Sequence, residues 1–194
     1  MKTALACIIM ASGHSTRFGS NKLLTNVNGK PMVQHIIEKV KMLGITVVVV
    51  TRFPKIAELC QKLAVDCVLH QEPYQNDTIR IGLQHLLKQD SFDGFMFCTG
   101  DQPFLTIATL QSLIKSFEQQ PTLIHRLQYE EQPGNPVIFP ASFVPQLLTL
   151  PQDNGGSYII KQHSANICYT PTKNEFELQD IDTIEDKQKL FLQQ

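Results

Sequence analysis

With 194 residues, the chain is long enough for one sizeable hydrophobic core and short for two enzyme domains, so we expect residues 1–194 to form a single domain. Its formal net charge of −1 and its 18% of charged residues provide no basic surface, which argues against a general nucleic-acid binder. No stretch approaches the roughly 20 apolar residues of a membrane span, and residues 1–10 do not read as a signal peptide, so we expect a cytoplasmic protein without a membrane anchor.

The first predicted element is a buried strand that runs into a polar loop. Residues 4–10 (ALACIIM) are continuously apolar, which is typical of a strand buried on both faces of a parallel sheet. The chain then becomes small and polar between Gly13 and Gly19, and Arg17 and Lys22 add two cations. A loop of this kind, with free backbone N–H groups and nearby cations, is suited to bind an anion, and polyphosphate is the first candidate.

Two common phosphate-binding loops do not match this stretch. A P-loop has four residues between its glycines and then Gly-Lys-Ser/Thr, whereas five residues separate Gly13 from Gly19 and no glycine precedes Lys22. The dinucleotide fingerprint G-x-G-x-x-G is also absent. The loop therefore indicates another kind of phosphate site.

Apolar runs of strand length alternate with helical periodicities as far as residue 117. An Asn-Gly turn is predicted at 28–29, and Pro31 suits the first position of a helix that continues to Leu43. The further predicted elements are strands at 45–51, 65–69 and 94–98, helices at 55–63, 79–87 and 107–117 with Thr106 as a cap, and a polar loop at 71–77. This alternation predicts an α/β fold, a Rossmann-like three-layer sandwich with a mostly parallel sheet and helices on both faces.

The strand at 94–98 ends in a second polar turn, TGDQPFL, which contains Asp101. In a parallel sheet this turn lies at the same edge as the Gly13 loop, where ligands bind. A single Asp after a strand is a frequent Mg²⁺ ligand together with phosphate oxygens and water, whereas Gly, Asp and Pro are also ordinary turn residues. The sequence itself leaves both readings open.

The loop ASGHSTRFGSNK resembles the signature loop of the MobA-like nucleotidyltransferases, L-x-A-G-x-S-x-R-x-G-x-x-K. The positions in register are Ala11, Gly13, Ser15, Arg17, Gly19 and Lys22. Ser12 departs from the pattern, since close relatives usually carry Ala or Gly there. The family also has a G-D-x-P motif whose Asp binds the metal, and Gly100, Asp101 and Pro103 reproduce it.

This resemblance implies roles for individual residues. It implies that Arg17, Lys22 and Asp101 are catalytic and that Asp101 holds Mg²⁺. The nucleotide-binding residues that it implies are Met10, Ala11, Ser12, Gly13, Arg17, Lys22, Arg80 and Gly100. Arg80 matches a family position that reads S-L-R-x-G-L, although a lone Arg at a helix start can equally be a solvated side chain.

Three later segments resemble the molybdenum cofactor cytidylyltransferases within that family. Residues 134–139 look like G-x-P-V-L-F, residues 152–157 are similar to G-D-x-G-A-R, and residues 180–186 are similar to D-I-D-T-P-E-D. Gln152 and Ser157 depart from the second motif, where the family has Gly and Arg. The acceptor-binding residues that the resemblance implies are Asn135, Pro136, Asp153 and Asp182; the alternative roles are an ordinary turn for the first two, a helix start for Asp153 and a helix cap for Asp182.

The resemblance implies transfer of CMP from CTP to the terminal phosphate of molybdopterin, with release of pyrophosphate. The N-terminal half would bind the nucleotide and the C-terminal half the acceptor, and a molybdenum hydroxylase or its maturation chaperone is the implied protein partner. Guanylyl transfer, and nucleotidyl transfer to sugar or alcohol phosphates, remain alternatives on the same scaffold. A non-catalytic nucleotide-binding accessory protein is a further alternative, which the departures at Gln152 and Ser157 favour.

Cysteine and histidine residues give no further site. The five cysteines form no C-x-x-C pair and the six histidines have no ligand spacing, so we expect neither a disulfide framework nor a structural metal cluster. Of the histidines, only His14 lies in the proposed nucleotide loop, where its position in the family motif is variable.

Overall fold

The computed structural model of the protein describes residues 3–13 and 21–181. Within these residues the strands are β1 (Leu5–Ala11), β2 (Asn26–Val27), β3 (Lys30–Pro31), β4 (Thr46–Thr51), β5 (Asp66–Leu69), β6 (Gly94–Thr99), β7 (Ile124–Tyr129), β8 (Gln132–Pro140) and β9 (Ile167–Pro171). The helices are α1 (Met32–Met42), α2 (Pro54–Lys62), α3 (Gln75–Leu86), α4 (Ile107–Gln119), α5 (Val144–Leu148) and α6 (Gly156–Gln162). None of these described helices is both long and apolar enough to cross a bilayer.

Seven of the strands form one sheet in the order β5-β4-β1-β6-β8-β7-β9. β1 pairs in parallel with β4 and with β6, and β4 pairs in parallel with β5. β8 runs antiparallel to β6 and β7, because β7 and β8 form a hairpin, and β9 is parallel to β7. The predicted mostly parallel sheet is confirmed, and its parallel half brings the carboxyl ends of β1, β4 and β6 to one edge.

Helices cover both faces of this sheet. Cys7, Ile9 and Ala11 of β1 pack in the same cluster as buried residues of α1, α2 and α4. Ala6 and Ile8, which point to the opposite face, pack with buried residues of α3, α5 and α6. The apolar run of β1 is thus explained by burial on both sides, and the three-layer sandwich is confirmed.

Short sequence patterns correctly predicted a turn and a helix cap. Asn28 and Gly29 have φ of 47° and 84°, as the predicted turn between β2 and β3 requires. The Thr106 side chain accepts a hydrogen bond from the Thr109 N–H and caps α4 as predicted. The predicted start of α1 was one residue too early: the helix begins at Met32, and Pro31 is its N-cap.

The first turn of α3 was predicted wrongly. Residues 75–77 were expected to belong to a polar loop, but the helix begins at Gln75. Its first turn reads Gln-Asn-Asp-Thr, which has no apolar periodicity, so the pattern gave no helical signal there. Asp77 lies in this turn, where a carboxylate meets the positive end of the helix dipole, and it also pairs with Arg80 at 2.8 Å.

Candidate active site

A cavity of about 330 Å³ lies where the carboxyl ends of β1 and β6 meet. The two strands end in register, since Met10 is paired with Thr99 and the Gly100 N–H donates to the Met10 carbonyl at 3.1 Å. The residues that line the cavity are Met10, Ser12 and Gly13 after β1, Lys22 and Leu23 in the following turn, Pro73, Tyr74, Gln75 and Thr78 around the start of α3, Thr99, Gly100 and Asp101 after β6, and Asp153. The predicted meeting of the Gly13 loop with Asp101 is therefore present in the fold.

An ion pair joins the two sides of this cavity. Lys22 Nζ lies 2.7 Å from Asp101 Oδ2, and the two side chains are only 13% and 18% exposed. Lys22 begins a 3₁₀ turn whose next residue, Leu23, is buried. Leu23 packs against Gly100, where an added Cβ would lie 3.2 Å from Leu23 Cδ2. The close packing of a glycine against a leucine thus brings the ammonium to the carboxylate.

Asp101 has the features of a carboxylate that can hold a divalent cation. Its Oδ1 is buried and has no hydrogen-bond partner among the described residues, and the same is true of Thr99 Oγ1. A buried carboxylate oxygen without a donor is an unsatisfied acceptor, which a bound cation satisfies. Residues 3–13 and 21–181 contain no cluster of three or more metal-ligating side chains. Asp101 therefore fits Mg²⁺, which takes one or two carboxylates and completes its shell with phosphate oxygens and water.

The loop after β1 is tied to the end of β4. Ser12 Oγ donates to the Val50 carbonyl at 3.2 Å and lies 2.8 Å from His70 Nε2. Arg52 Nε donates to the Ser12 carbonyl at 3.1 Å. Burial, and then the nearby charge of Arg52, lower the pKa of His70, so its imidazole is neutral at pH 7. The Ser12 hydroxyl thus anchors the loop. Ala or Gly at this position could not do so, because neither has a hydroxyl group.

His70 and Arg52 were not identified from the sequence. Both directly follow strands that were predicted correctly, β5 and β4, and both therefore lie at the carboxyl edge of the sheet. Because ligands bind at this edge, both residues could have been selected as candidates from the predicted strand ends. Their contact with Ser12, however, joins residues far apart in the chain, which a local pattern does not report.

A second, smaller cavity of about 190 Å³ adjoins the first and shares Met10 and Gln75 with it. Its polar lining includes Arg126 of β7, Asn135 of β8 and Ser157 of α6. Its apolar walls are Ile79, Phe97, Val137, Phe139, Leu147 and Ile160, with Gly155 and Gly156 between them. Arg126 was not singled out from the sequence.

Most of the residues that the sequence assigned to the nucleotide lie together. Met10, Ser12, Gly13, Lys22, Gly100 and Asp101 all line the larger cavity. Ala11 is fully buried beneath it, and its carbonyl accepts from Thr51 Oγ1 at 2.8 Å. Arg80 pairs with Asp77 and lines neither cavity. Arg17 and His14 lie outside the described residues.

The residues assigned to the acceptor do not lie together. Asn135 lines the smaller cavity, whereas its neighbour Pro136 does not. Asp153 lines the larger cavity beside the residues assigned to the nucleotide, and its N–H donates to Asn76 Oδ1 at 3.1 Å. Asp182 lies outside the described residues. The acceptor assignments of these residues stay predictions.

Comparison with known protein families identifies this arrangement. A family model described as the MobA-like NTP transferase domain matches residues 7–167. The chain belongs to this family. The match covers β1 from Cys7 onwards, the Lys22–Asp101 pair and both cavities.

Curated relatives of this MobA-like domain are longer proteins. It is 34% identical over 112 residues to the bifunctional protein GlmU of Exiguobacterium sibiricum, a match that covers 56% of this chain and 25% of the relative. It is also 34% identical over 109 residues to the 3-deoxy-manno-octulosonate cytidylyltransferase of Elusimicrobium minutum, covering 56% of this chain and 43% of the relative. The match to GlmU thus extends over about a quarter of that protein's length.

Solved structures share the fold of the MobA-like domain along nearly the whole chain. Rv0371c of Mycobacterium tuberculosis H37Rv superposes with a TM-score of 0.84 at 19% identity, covering 98% of this chain and 99% of that one. A complex of Rv0371c with manganese has a TM-score of 0.78 at 19% identity and covers 97% and 98%. A CMP:2-keto-3-deoxy-manno-octonic acid synthetase complexed with CTP has a TM-score of 0.72 at 14% identity and covers 97% and 98%. Similarity at these identities establishes the fold.

Proposed function

We propose that this MobA-like domain is a metal-dependent nucleotidyltransferase that transfers CMP from CTP to the terminal phosphate of molybdopterin and releases pyrophosphate. The observation that carries the proposal is the Lys22–Asp101 pair, which places a cation and a mostly buried carboxylate 2.7 Å apart in the cavity at the ends of β1 and β6. CTP is favoured because a structural neighbour is a synthetase complexed with CTP. The product would pass to a molybdenum hydroxylase or to its maturation chaperone.

The residues of the larger cavity have complementary tasks in this reaction. The backbone N–H groups around Gly13 meet phosphate oxygens, and Arg17 and Lys22 neutralise their charge. Without nucleotide, the Lys22 ammonium is held by Asp101. On triphosphate binding, Lys22 would turn to a phosphate oxygen, which would leave Asp101 free to hold a divalent cation. Asp101 would hold Mg²⁺, which would supply further charge neutralisation on the phosphate oxygens.

The attacking group needs no strong base in this mechanism. A phosphate monoester is already ionised at pH 7, so it attacks the α-phosphorus without first losing a proton to the protein. The protein contributes by holding donor and acceptor in line and by stabilising the charge that develops on the phosphate oxygens. His70, the histidine at this edge of the described structure, is neutral and bound to Ser12, which is consistent with an anchoring role rather than proton transfer.

A sugar or alcohol phosphate is the second candidate acceptor. The cavity beside the nucleotide site has a volume of about 190 Å³, below the roughly 300–1,000 Å³ of typical ligand pockets, which favours a compact acceptor. Gln152 and Ser157, which depart from the motif of the molybdenum cofactor cytidylyltransferases, lie in or next to these cavities. The E. minutum relative carries the name of a cytidylyltransferase for a sugar acid.

Pyrophosphate release tests the proposed function directly. The purified protein is incubated with Mg²⁺ and, in separate reactions, with CTP, GTP, ATP or UTP, each with molybdopterin, with a panel of sugar and alcohol phosphates, or with no acceptor. We expect release with CTP only when molybdopterin is present, and release that depends on the divalent cation. Release with a sugar or alcohol phosphate instead would establish the second candidate.

The same samples distinguish a non-catalytic nucleotide-binding protein. Such a protein would gain thermal stability with CTP and Mg²⁺, because a ligand that binds the folded state shifts the unfolding equilibrium, and it would release no pyrophosphate with any acceptor. Absence of both stabilisation and release with all four nucleotides would refute nucleotidyl transfer.

A further inference from the structure

Arg126 is a half-buried cation whose charge is not matched within the described protein. Its Nε donates to the Gly134 carbonyl at 3.1 Å, and its Nη groups make no hydrogen bond to the described residues. No carboxylate among residues 3–13 and 21–181 forms an ion pair with it. Burial lowers the pKa of the guanidinium, which means that its surroundings disfavour the charge. A charge held in such surroundings is costly unless an anion joins it.

The pairing between β7 and β8 is irregular beside this residue, because β8 carries two extra residues, Asn135 and Pro136, at this point. The register between β7 and β8 shifts between Arg126 and Leu127, since Arg126 is paired with Val137 and Leu127 with Gly134. Asn135 lies on β8 within this irregularity. Bulges of this kind redirect side chains and are frequent next to binding sites. Here Arg126 and Asn135 both line the smaller cavity.

The other polar groups of the cavity also lack partners. The Asn135 side-chain amide and the Ser157 hydroxyl make no hydrogen bonds within the described part of the chain, and both line the same cavity as Arg126. Guanidinium, amide and hydroxyl groups are the donors that bind phosphate and carboxylate oxygens. Apart from Gln75 the remaining walls are apolar, and Arg126 is the only cation among the described residues that line this cavity.

We propose that Arg126 binds an anionic group of the acceptor substrate, a phosphate or a carboxylate, with Asn135 and Ser157 as neighbouring donors. This inference rests on the proposed nucleotidyl transfer. The two cavities share Met10 and Gln75, so an acceptor held at Arg126 lies directly beside a triphosphate bound at Lys22 and Asp101. Arg126 is then a residue that determines acceptor specificity.

Arginine-selective NMR on the wild-type protein tests the binding step. The Nε–H signal of Arg126, assigned by its loss in Arg126→Lys, is followed during titration with methyl phosphate and, separately, with acetate. We expect a saturable shift of this signal. A saturable shift with methyl phosphate but not with acetate identifies a phosphate ester as the acceptor group. A saturable shift with acetate, at an affinity equal to that of methyl phosphate, identifies a carboxylate. No saturable shift with either anion would overturn the proposal.

Kinetics of variants test the specificity role. Arg126→Gln, which keeps a hydrogen-bond donor but removes the charge, is compared with Lys161→Gln, which removes an exposed positive charge on α6 outside both cavities. With the acceptor that supports pyrophosphate release, we expect Arg126→Gln to raise the acceptor KM by about tenfold or more and to leave the CTP KM unchanged. Arg126→Lys, which keeps the positive charge, is expected to raise the acceptor KM less than Arg126→Gln does. Lys161→Gln is expected to change neither KM.

These results separate the failure of this inference from the failure of the proposed function. An unchanged acceptor KM in Arg126→Gln, with pyrophosphate release intact, would refute the role of Arg126 alone. A saturable shift of the Arg126 signal together with no release from any nucleotide would support an anion site and refute nucleotidyl transfer. If Arg126→Gln does not fold, the titration of the wild-type signal still decides the binding step.

Discussion

At the scale of single residues, the site depends on one carboxylate and one ammonium that come from loops 79 positions apart. Each is mostly buried, so each needs an opposite charge in every state of the protein. In the free protein they neutralise each other. On the proposed function, phosphates and a divalent cation would replace these partners when nucleotide binds, so neither charge would be left unmatched.

Asp101→Asn is expected to lower pyrophosphate release by at least about a hundredfold, because the amide keeps the volume of the carboxylate but lacks its charge and is a weaker ligand for a divalent cation. Pyrophosphate release at saturating CTP and Mg²⁺ is the measurement. Glu58→Gln, at an exposed position on α2, is the matched control and should keep wild-type activity. Wild-type release by Asp101→Asn would show that the metal assignment is wrong.

Lys22→Ala is expected to raise the CTP KM by about tenfold or more, since one charge-assisted contact to the triphosphate is lost. Arg17→Ala should act in the same direction. Steady-state kinetics at varied CTP provide the measurement, with Lys62→Ala on the exposed face of α2 as the control. An unchanged CTP KM in Lys22→Ala would mean that the ammonium serves only to pair with Asp101.

At the scale of elements, α3 is positioned by a close contact with the sheet. A Cβ added to Gly82 would lie 2.9 Å from Ile8 Cγ2 and 3.0 Å from Val50 Cγ2. These atoms belong to β1 and β4, so a side chain at Gly82 would push α3 away from the strands that end at the cavity. Gln75 and Thr78, on the first turn of the same helix, line that cavity.

Gly82→Ala is therefore expected to destabilise the protein. Overpacking costs about 1–3 kcal/mol, and the better helix propensity of Ala offsets about 1 kcal/mol of it. A net loss of about 1 kcal/mol corresponds to a Tm lower by about 2–4 °C in a protein of this size. Thermal unfolding measures the effect, and Gln84→Ala on the exposed side of α3 should leave Tm nearly unchanged. An increase of Tm in Gly82→Ala would contradict the close packing of α3.

The sequence predicted the elements of the parallel half well, because buried strands and amphipathic helices each leave a local pattern. It missed the first turn of α3, whose polar residues are explained by the cavity rather than by the core. It also missed Arg126, because no strand was predicted at 124–129, where polar residues interrupt the apolar pattern. The contact of Ser12 with His70 arises only when β1 and β5 are folded into one sheet.

At the scale of the whole molecule, burial lowers the pKa of three histidines in different parts of the fold. These are His35 on α1, His70 after β5 and His125 on β7. His125 is fully buried, with Nε2 donating to the Gln120 carbonyl at 2.8 Å and Nδ1 lying 2.9 Å from Ser116 Oγ. In the unfolded chain each has an ordinary pKa near about 6.5.

Stability is therefore expected to fall as the pH falls below about 6.5. Between the lowered folded pKa values and the ordinary value, the unfolded chain binds more protons than the folded protein, so protonation favours unfolding. Each histidine contributes at most about 1.4 kcal/mol per pH unit in that window, and nothing above about pH 7.5. Urea midpoints at pH 8.0, 7.5, 6.5, 6.0 and 5.5 measure the effect above the range in which carboxylates titrate.

The variant His125→Gln provides the control for this pH dependence. It removes one titrating group and should reduce the slope between pH 6.5 and 5.5, even though it lowers stability at every pH. A urea midpoint that rises on acidification through this range would contradict the proposed origin in buried neutral histidines.

Met10, together with Gln75, belongs to the walls of both cavities, so its flexible side chain lies where the proposed donor and acceptor compartments meet. A thioether on three rotatable bonds adapts to whatever lies on either side of it. If the two cavities hold the substrates as proposed, occupation of one would alter the shape of the other, and the apparent affinity for each substrate would depend on whether its co-substrate is already present. A change of size at this position would be seen in the Michaelis constants of both substrates at once.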